Sequence, residues 1–155
     1  MARTHSRVRA FGRLLFWLAL IAFLSTPIPS HDRITALLAE LVGVTGAEVS
    51  EADVRSFAWL MRKTAHPVVY GVLAILVIRF LAERNGYGVS PLPFRLYFKA
   101  FVICVFVAVL DEGHQLFLDA RTGSLSDVGL DAAGALGALL LYREFRGRRH
   151  HQPER

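Results

Sequence analysis

Four stretches of this 155-residue chain contain no Asp, Glu, Lys or Arg: residues 14–31, 64–78, 100–110 and 132–142. A helix needs about 20 predominantly apolar residues to cross a hydrocarbon core. The first run approaches that length unaided. The other three reach it only if a flanking polar segment enters the membrane with them, namely residues 63–66, 111–115 and 127–131. Composition points the same way. The chain is 54% hydrophobic and 20% charged, with a mean hydropathy of +0.40. A soluble domain has about 45–50% apolar and about 25% charged residues. Eleven phenylalanines exclude a disordered polar tail. One cysteine, Cys104, excludes an intramolecular disulfide and any multi-cysteine zinc or iron–sulfur site. The expected fold is all-α: an integral membrane bundle of about four transmembrane helices. The alternative is a set of shorter helices whose polar ends lie in the headgroup layer.

Arginine placement predicts the orientation. With four spans, the N-terminus, the middle loop and the C-terminus share one side. Those regions hold thirteen of the eighteen basic residues, and the other side holds Arg33, Arg55, Arg62, Lys63 and Arg121. The positive-inside rule then makes both termini cytoplasmic. The chain divides into a basic N-terminus (1–13), a membrane domain (14–142) and a basic tail (143–155). The tail is expected near anionic headgroups or disordered. No nucleic-acid role is expected for it. The first run is read as an uncleaved helix ended by Pro27 and Pro29, because no small-x-small cleavage site follows it.

Between the first two runs, Ile34, Leu37, Leu38 and Leu41 follow the i, i+3, i+4, i+7 spacing of an amphipathic helix. It is expected to lie on the outer surface and to end at Gly43 and Gly46. Ser50-Glu51-Ala52-Asp53 is similar to a capping box, so the next helix is expected to begin near Glu51. Pro67 should kink that helix, since it leaves the Lys63 carbonyl without its donor. Gly129, Ala133 and Gly137 form a small-residue stripe suited to close helix contact, including oligomerisation.

Given this topology, every polar segment sits at the outer end of its helix. Charge inside a membrane is costly and marks function by default. Lys63, His66 and Tyr70 fall within about 60° of one another on a helix. Asp111 and Gln115 lie one turn apart, with Glu112 about 100° round from Asp111. Asp127 and Asp131 share a face, beside Gly134 and Ala135, which should leave space next to the acids. Lys63 and Arg121 against Asp111, Glu112, Asp127 and Asp131 leave an excess of two negative charges. Protonation, a charged histidine, Arg62 or a bound divalent cation would compensate. No other cofactor is expected. The structural reading competes at each position: Lys63 snorkels, His66 packs, Tyr70 belongs to the bundle core, Asp111, Glu112 and Gln115 make structural ion pairs, and Arg121 pairs with Asp127 to fix the loop.

The pattern Lys63-x-x-His66-x-x-x-Tyr70, Asp111-Glu112-x-x-Gln115, Arg121-x-x-Ser124-x-x-Asp127-Val128 and Gly134 resembles the VanZ-like family. The family is named for an accessory protein of teicoplanin resistance. The resemblance implies a small bacterial membrane protein of about four helices in the cytoplasmic membrane, and no particular reaction. A resistance role does not follow from it. In one departure, Asp131 stands where the family commonly has asparagine. Two functions follow as expectations, against a third, purely structural role in which ion pairs hold a short bundle together. One is an envelope protein whose outer pocket binds a lipid-linked or cell-wall component. There Lys63 and Arg121 would contact an anionic head, and Asp111, Glu112 and Gln115 would bind amines or hydroxyls. The other is a membrane enzyme using His66, tuned by Asp111 or Glu112.

Overall fold

The computed structural model describes residues 2–26, 31–44, 50–88, 91–116 and 124–150, and all regular structure among them is helical. The helices are α1 (Ala2–Leu24), α2 (His31–Val44), α3 (Glu51–Arg84), α4 (Phe94–Leu116) and α5 (Leu125–His150). Two of them, α3 and α5, are long and apolar enough to cross a membrane. Charges near their ends keep the other long helices below that threshold: Arg7, Arg9 and Arg13 on α1, and Arg95, Lys99, Asp111 and Glu112 on α4.

Local chemistry sets several boundaries. Ser50 caps α3, its hydroxyl accepting the Asp53 N–H at 3.2 Å, as the capping box predicts. At the other end Tyr87 N donates to Ala82 O, and Gly86 N donates to Glu83 O. That pairing is a Schellman turn, and Gly86 takes the left-handed conformation it needs (φ +75°). Two boundaries depart from the sequence reading. Helix α1 starts at Ala2, so the basic residues before position 14 are helical and continuous with the apolar run. Arginine is a good helix former, and nothing there interrupts the turn. Helix α5 likewise continues through Arg143–Arg148 to His150, so this part of the tail is helical. Helix α2 ends at Val44, between the two glycines expected to end it. Pro27, Pro29 and Gly46 lie outside the described residues, as does the chain after His150.

Helix α3 is the hub and touches each of the other four helices. Against α5 the contact is parallel and very close. A Cβ on Gly134 would stand 2.2 Å from the Pro67 carbonyl oxygen and 2.5 Å from its Cα. One turn along, Gly71 meets Ala138 and the Gly134 carbonyl. The space expected beside the acids at Gly134 is therefore filled by the backbone of α3. The Gly129, Ala133 and Gly137 stripe lies on another face, and nothing among the described residues comes within 4 Å of a Cβ added at Gly129 or Gly137. Helix α1 runs antiparallel to α3. Ser6 donates to Glu83 at 2.9 Å, and the Trp17 indole donates to the Val69 carbonyl at 3.0 Å.

Helix α4 is apolar on both its buried and its exposed side over most of its length. On α4, Ala100, Cys104 and Ala108 recur every four residues and are fully buried, while Phe98, Val102, Phe106 and Val109 point outward. Small residues inside and large ones outside is the arrangement of membrane helices, whose interfaces favour close backbone approach. Withdrawing a large apolar side chain from water is worth roughly 1.5–3 kcal/mol. Helices α1, α3 and α5 expose similar rows, including Phe16, Val68 and Leu140. So many exposed side chains call for an apolar surrounding phase.

Candidate functional site

The sequence places Lys63, His66 and Tyr70 on one face of α3, and that face meets the beginning of α5. Because the two helices run parallel, their polar residues meet in sequence order. The Lys63 ammonium forms an ion pair with Asp127. His66 Nδ1 lies 3.2 Å from Asp131 Oδ1 and 3.4 Å from Oδ2. Asp131 is fully buried, and the His66 side chain is 16% exposed. The aspartate at the expected asparagine position is thus the direct partner of the histidine. Asp111 and Glu112, expected to tune His66, make their hydrogen bonds elsewhere.

Helix α4 supplies the third wall. Glu112 is buried, and its Oε2 accepts the Ser124 backbone N–H at 2.8 Å, at the start of α5. The Ser124 side chain turns to Ser126, at 2.6 Å. Asp111 accepts hydrogen bonds from Gln115 Nε2 at 3.2 Å and from the hydroxyl of Ser25 at the end of α1. Gln115 is buried as well. The Tyr70 hydroxyl is buried, makes no hydrogen bond of good geometry among the described residues, and sits within electrostatic reach of Asp111 and Asp131.

Nine of the ten expected residues therefore lie at one end of the bundle, with Ser124 contributing through its backbone N–H. The tenth, Arg121, lies outside the described residues. Its expected partner, Asp127, pairs with Lys63. The structural readings fare differently: Tyr70 does belong to the core, whereas Lys63, read as snorkelling to the headgroups, pairs with Asp127. Ser25 escapes a reading of the sequence. It is one small hydroxyl at the end of a long apolar run, and no spacing links it to Asp111, 86 residues away.

His66, Glu112 and Asp131 each offer a ligand atom, and these atoms lie within 4.8 Å of one another. One imidazole and two carboxylates from three helices form a donor set suited to a divalent ion. Without an ion, the same groups form a carboxylate–imidazole pair beside a second buried carboxylate.

No protein of curated function and no solved structure matches the chain. A family model, VanZ/LLP1, matches residues 11–146. That span includes the apolar runs and every residue of the cluster described above. The match and the two long apolar helices together fit a membrane protein. The chain belongs to the VanZ/LLP1 family.

Proposed function

We propose that this is a four-span protein of the bacterial cytoplasmic membrane, both termini cytoplasmic, whose outer end binds the polar head of a lipid-linked or cell-wall component. The observation that carries the reading is the convergence of Lys63, His66, Glu112, Asp127 and Asp131 from three helices. Helix dimensions support the four spans. From Lys63 to Arg84 on α3 is about 31 Å, and from Arg95 to Asp111 on α4 about 24 Å, at about 1.5 Å per residue. Those lengths approach the roughly 30 Å of a hydrocarbon core, with charge at both levels. The outward rows of Phe, Val and Leu would face the lipid tails.

In this reading Lys63, with Arg121 a few residues before Asp127 in the sequence, contacts an anionic group of the ligand. The acids bind its hydroxyls or amines, and Gln115 holds Asp111 in position. A ligand phosphate must compete with Asp127 for Lys63, so binding should weaken with salt. The test is binding of lipid-linked cell-wall precursors to the protein in nanodiscs. Lys63→Ala should reduce affinity at least tenfold while Arg148→Ala leaves it unchanged. Equal affinity in folded Lys63→Ala would end this role for Lys63.

A second reading rests on one observation: a buried aspartate oriented against His66 is the arrangement used to set an imidazole for proton transfer. The protein would then act on a phosphate-containing envelope lipid. Phosphate release from lipid pyrophosphates, lost in His66→Gln, is the expected result. No turnover with the wild-type protein would count against it.

A further inference from the structure

We infer that His66, Glu112 and Asp131 form a binding site for one divalent transition-metal ion, of the Zn²⁺ type, with a coordination position left for an oxygen ligand. Three observations support this beyond the nearness of acidic groups. The donors come from α3, α4 and α5, and their ligand atoms already lie within 4.8 Å of one another. Ligand distances of about 2.0–2.1 Å around a tetrahedral ion set the donors about 3.3 Å apart. His66 Nδ1 and Asp131 Oδ1 already stand at 3.2 Å, so Glu112 has most of the remaining distance to close.

The second observation is the state of Glu112. Its Oε2 is held by the Ser124 N–H, which fixes the carboxylate. Its Oε1 is buried and has no hydrogen-bond partner among the described residues, in a residue that is 4% exposed. A buried carboxylate oxygen without a partner is rare, and a missing ion is one of its recognised causes. An outer contact that orients a ligating carboxylate is also usual at metal sites.

The third observation is charge. Lys63 offsets Asp127. Asp111 accepts hydrogen bonds from Ser25 and Gln115. These neutral donors stabilise the Asp111 carboxylate and leave its charge in place. Glu112 and Asp131 lie beside a histidine, and two carboxylates with a neutral imidazole match the charge of a divalent ion within the ligand set, which a low-dielectric site favours. The three protein ligands would leave a fourth position for water or for an oxygen of a bound head group. This site does not depend on the envelope-ligand reading, and failure to bind a lipid-linked precursor would leave it standing.

The test uses the full chain, free of affinity tags, in nanodiscs, with His150→Ala and His151→Ala removing imidazoles of the tail. After chelator treatment, calorimetric titration with Zn²⁺ should show one ion bound per chain. Glu112→Gln and Asp131→Asn should each weaken binding at least tenfold, and Glu144→Gln, on the surface of α5, should leave it unchanged. Co²⁺ bound to the parent protein should absorb in the visible region, and His66→Gln should shift those bands as a nitrogen ligand is lost. No stoichiometric binding by the folded parent, or parent-like affinity in Glu112→Gln, would overturn the site. If Glu112→Gln does not fold, pulsed electron paramagnetic resonance of the Cu²⁺-loaded parent decides. Coupling to one imidazole nitrogen is expected, and its absence would overturn the assignment.

Discussion

The two ends of the bundle handle charge in opposite ways. At one end, Lys63, His66, Glu112, Asp127 and Asp131 are wholly or largely withdrawn from solvent and tied across three helices. At the other, Arg84, Arg95 and Lys99 line a cavity of about 480 Å³ between α3 and α4, and the contacts of Arg95 and Arg148 are local and exposed. Arg95 reaches the Tyr87 hydroxyl at 3.2 Å, and Arg148 reaches Glu144 one turn away at 3.0 Å. The basic end can serve orientation and headgroup contact with little constraint on geometry. The acidic end constrains the packing of the helices that carry it, and buried charge without function is hard to account for there. Sequence composition alone blurs this difference, because a net charge of +5 averages the two ends.

Substitutions can break or sharpen the contrast. The largest effect is expected at Gly134, where α5 brings the polar residues against α3. Gly134→Leu should abolish folded protein in detergent, because the first added carbon meets the Pro67 backbone. Gly137→Leu should give a stable protein, since open space surrounds that position. Equal folded yields would mean that the close α3–α5 contact is absent. Next comes Lys63→Ala, which leaves Asp127 buried and unpaired. Losing one partner of a fully buried pair costs about 3–5 kcal/mol. With the Lys63 side chain 26% exposed, about 2–3 kcal/mol is expected in a chemical or thermal melt. Replacing both residues, Lys63→Met with Asp127→Leu, should recover most of that loss. The smallest effect belongs to the basic end. Glu144→Ala removes an exposed i,i+4 pair and should change stability by no more than about 0.5 kcal/mol. A comparable loss in Glu144→Ala and Lys63→Ala would erase the distinction between the ends.

Much of this is legible in the sequence. Three of the four charge-free runs lie within α3, α4 and α5, the first begins inside α1 and continues past its end at Leu24, and the leucine spacing locates α2. The capping box places the start of α3. The cost of intramembrane charge singles out the polar residues by their type and position along the chain. The features that sequence leaves hidden have physical causes. The helix ends at Ala2 and His150 are concealed because arginine and glutamate continue a helix as readily as they end an apolar run. Two sets of small residues on α5 have helical spacing, Gly129/Ala133/Gly137 and Gly134/Ala138. Only the packing shows that the second one meets α3. The pairing of His66 with Asp131 rather than with Asp111 or Glu112 depends on helix register, which local spacing does not encode.

The central claim is that the cluster lies at the outer end of a membrane-spanning bundle, and sided labelling tests it most directly. In a Cys104→Ser background, Ser126→Cys would put an exposed thiol beside Asp127, and Arg148→Cys would put one at the basic end. A membrane-impermeant maleimide added to intact spheroplasts should label Ser126→Cys at once. It should label Arg148→Cys only after the membrane is opened. Labelling of Arg148→Cys first, or of both sites from one side, would contradict the account.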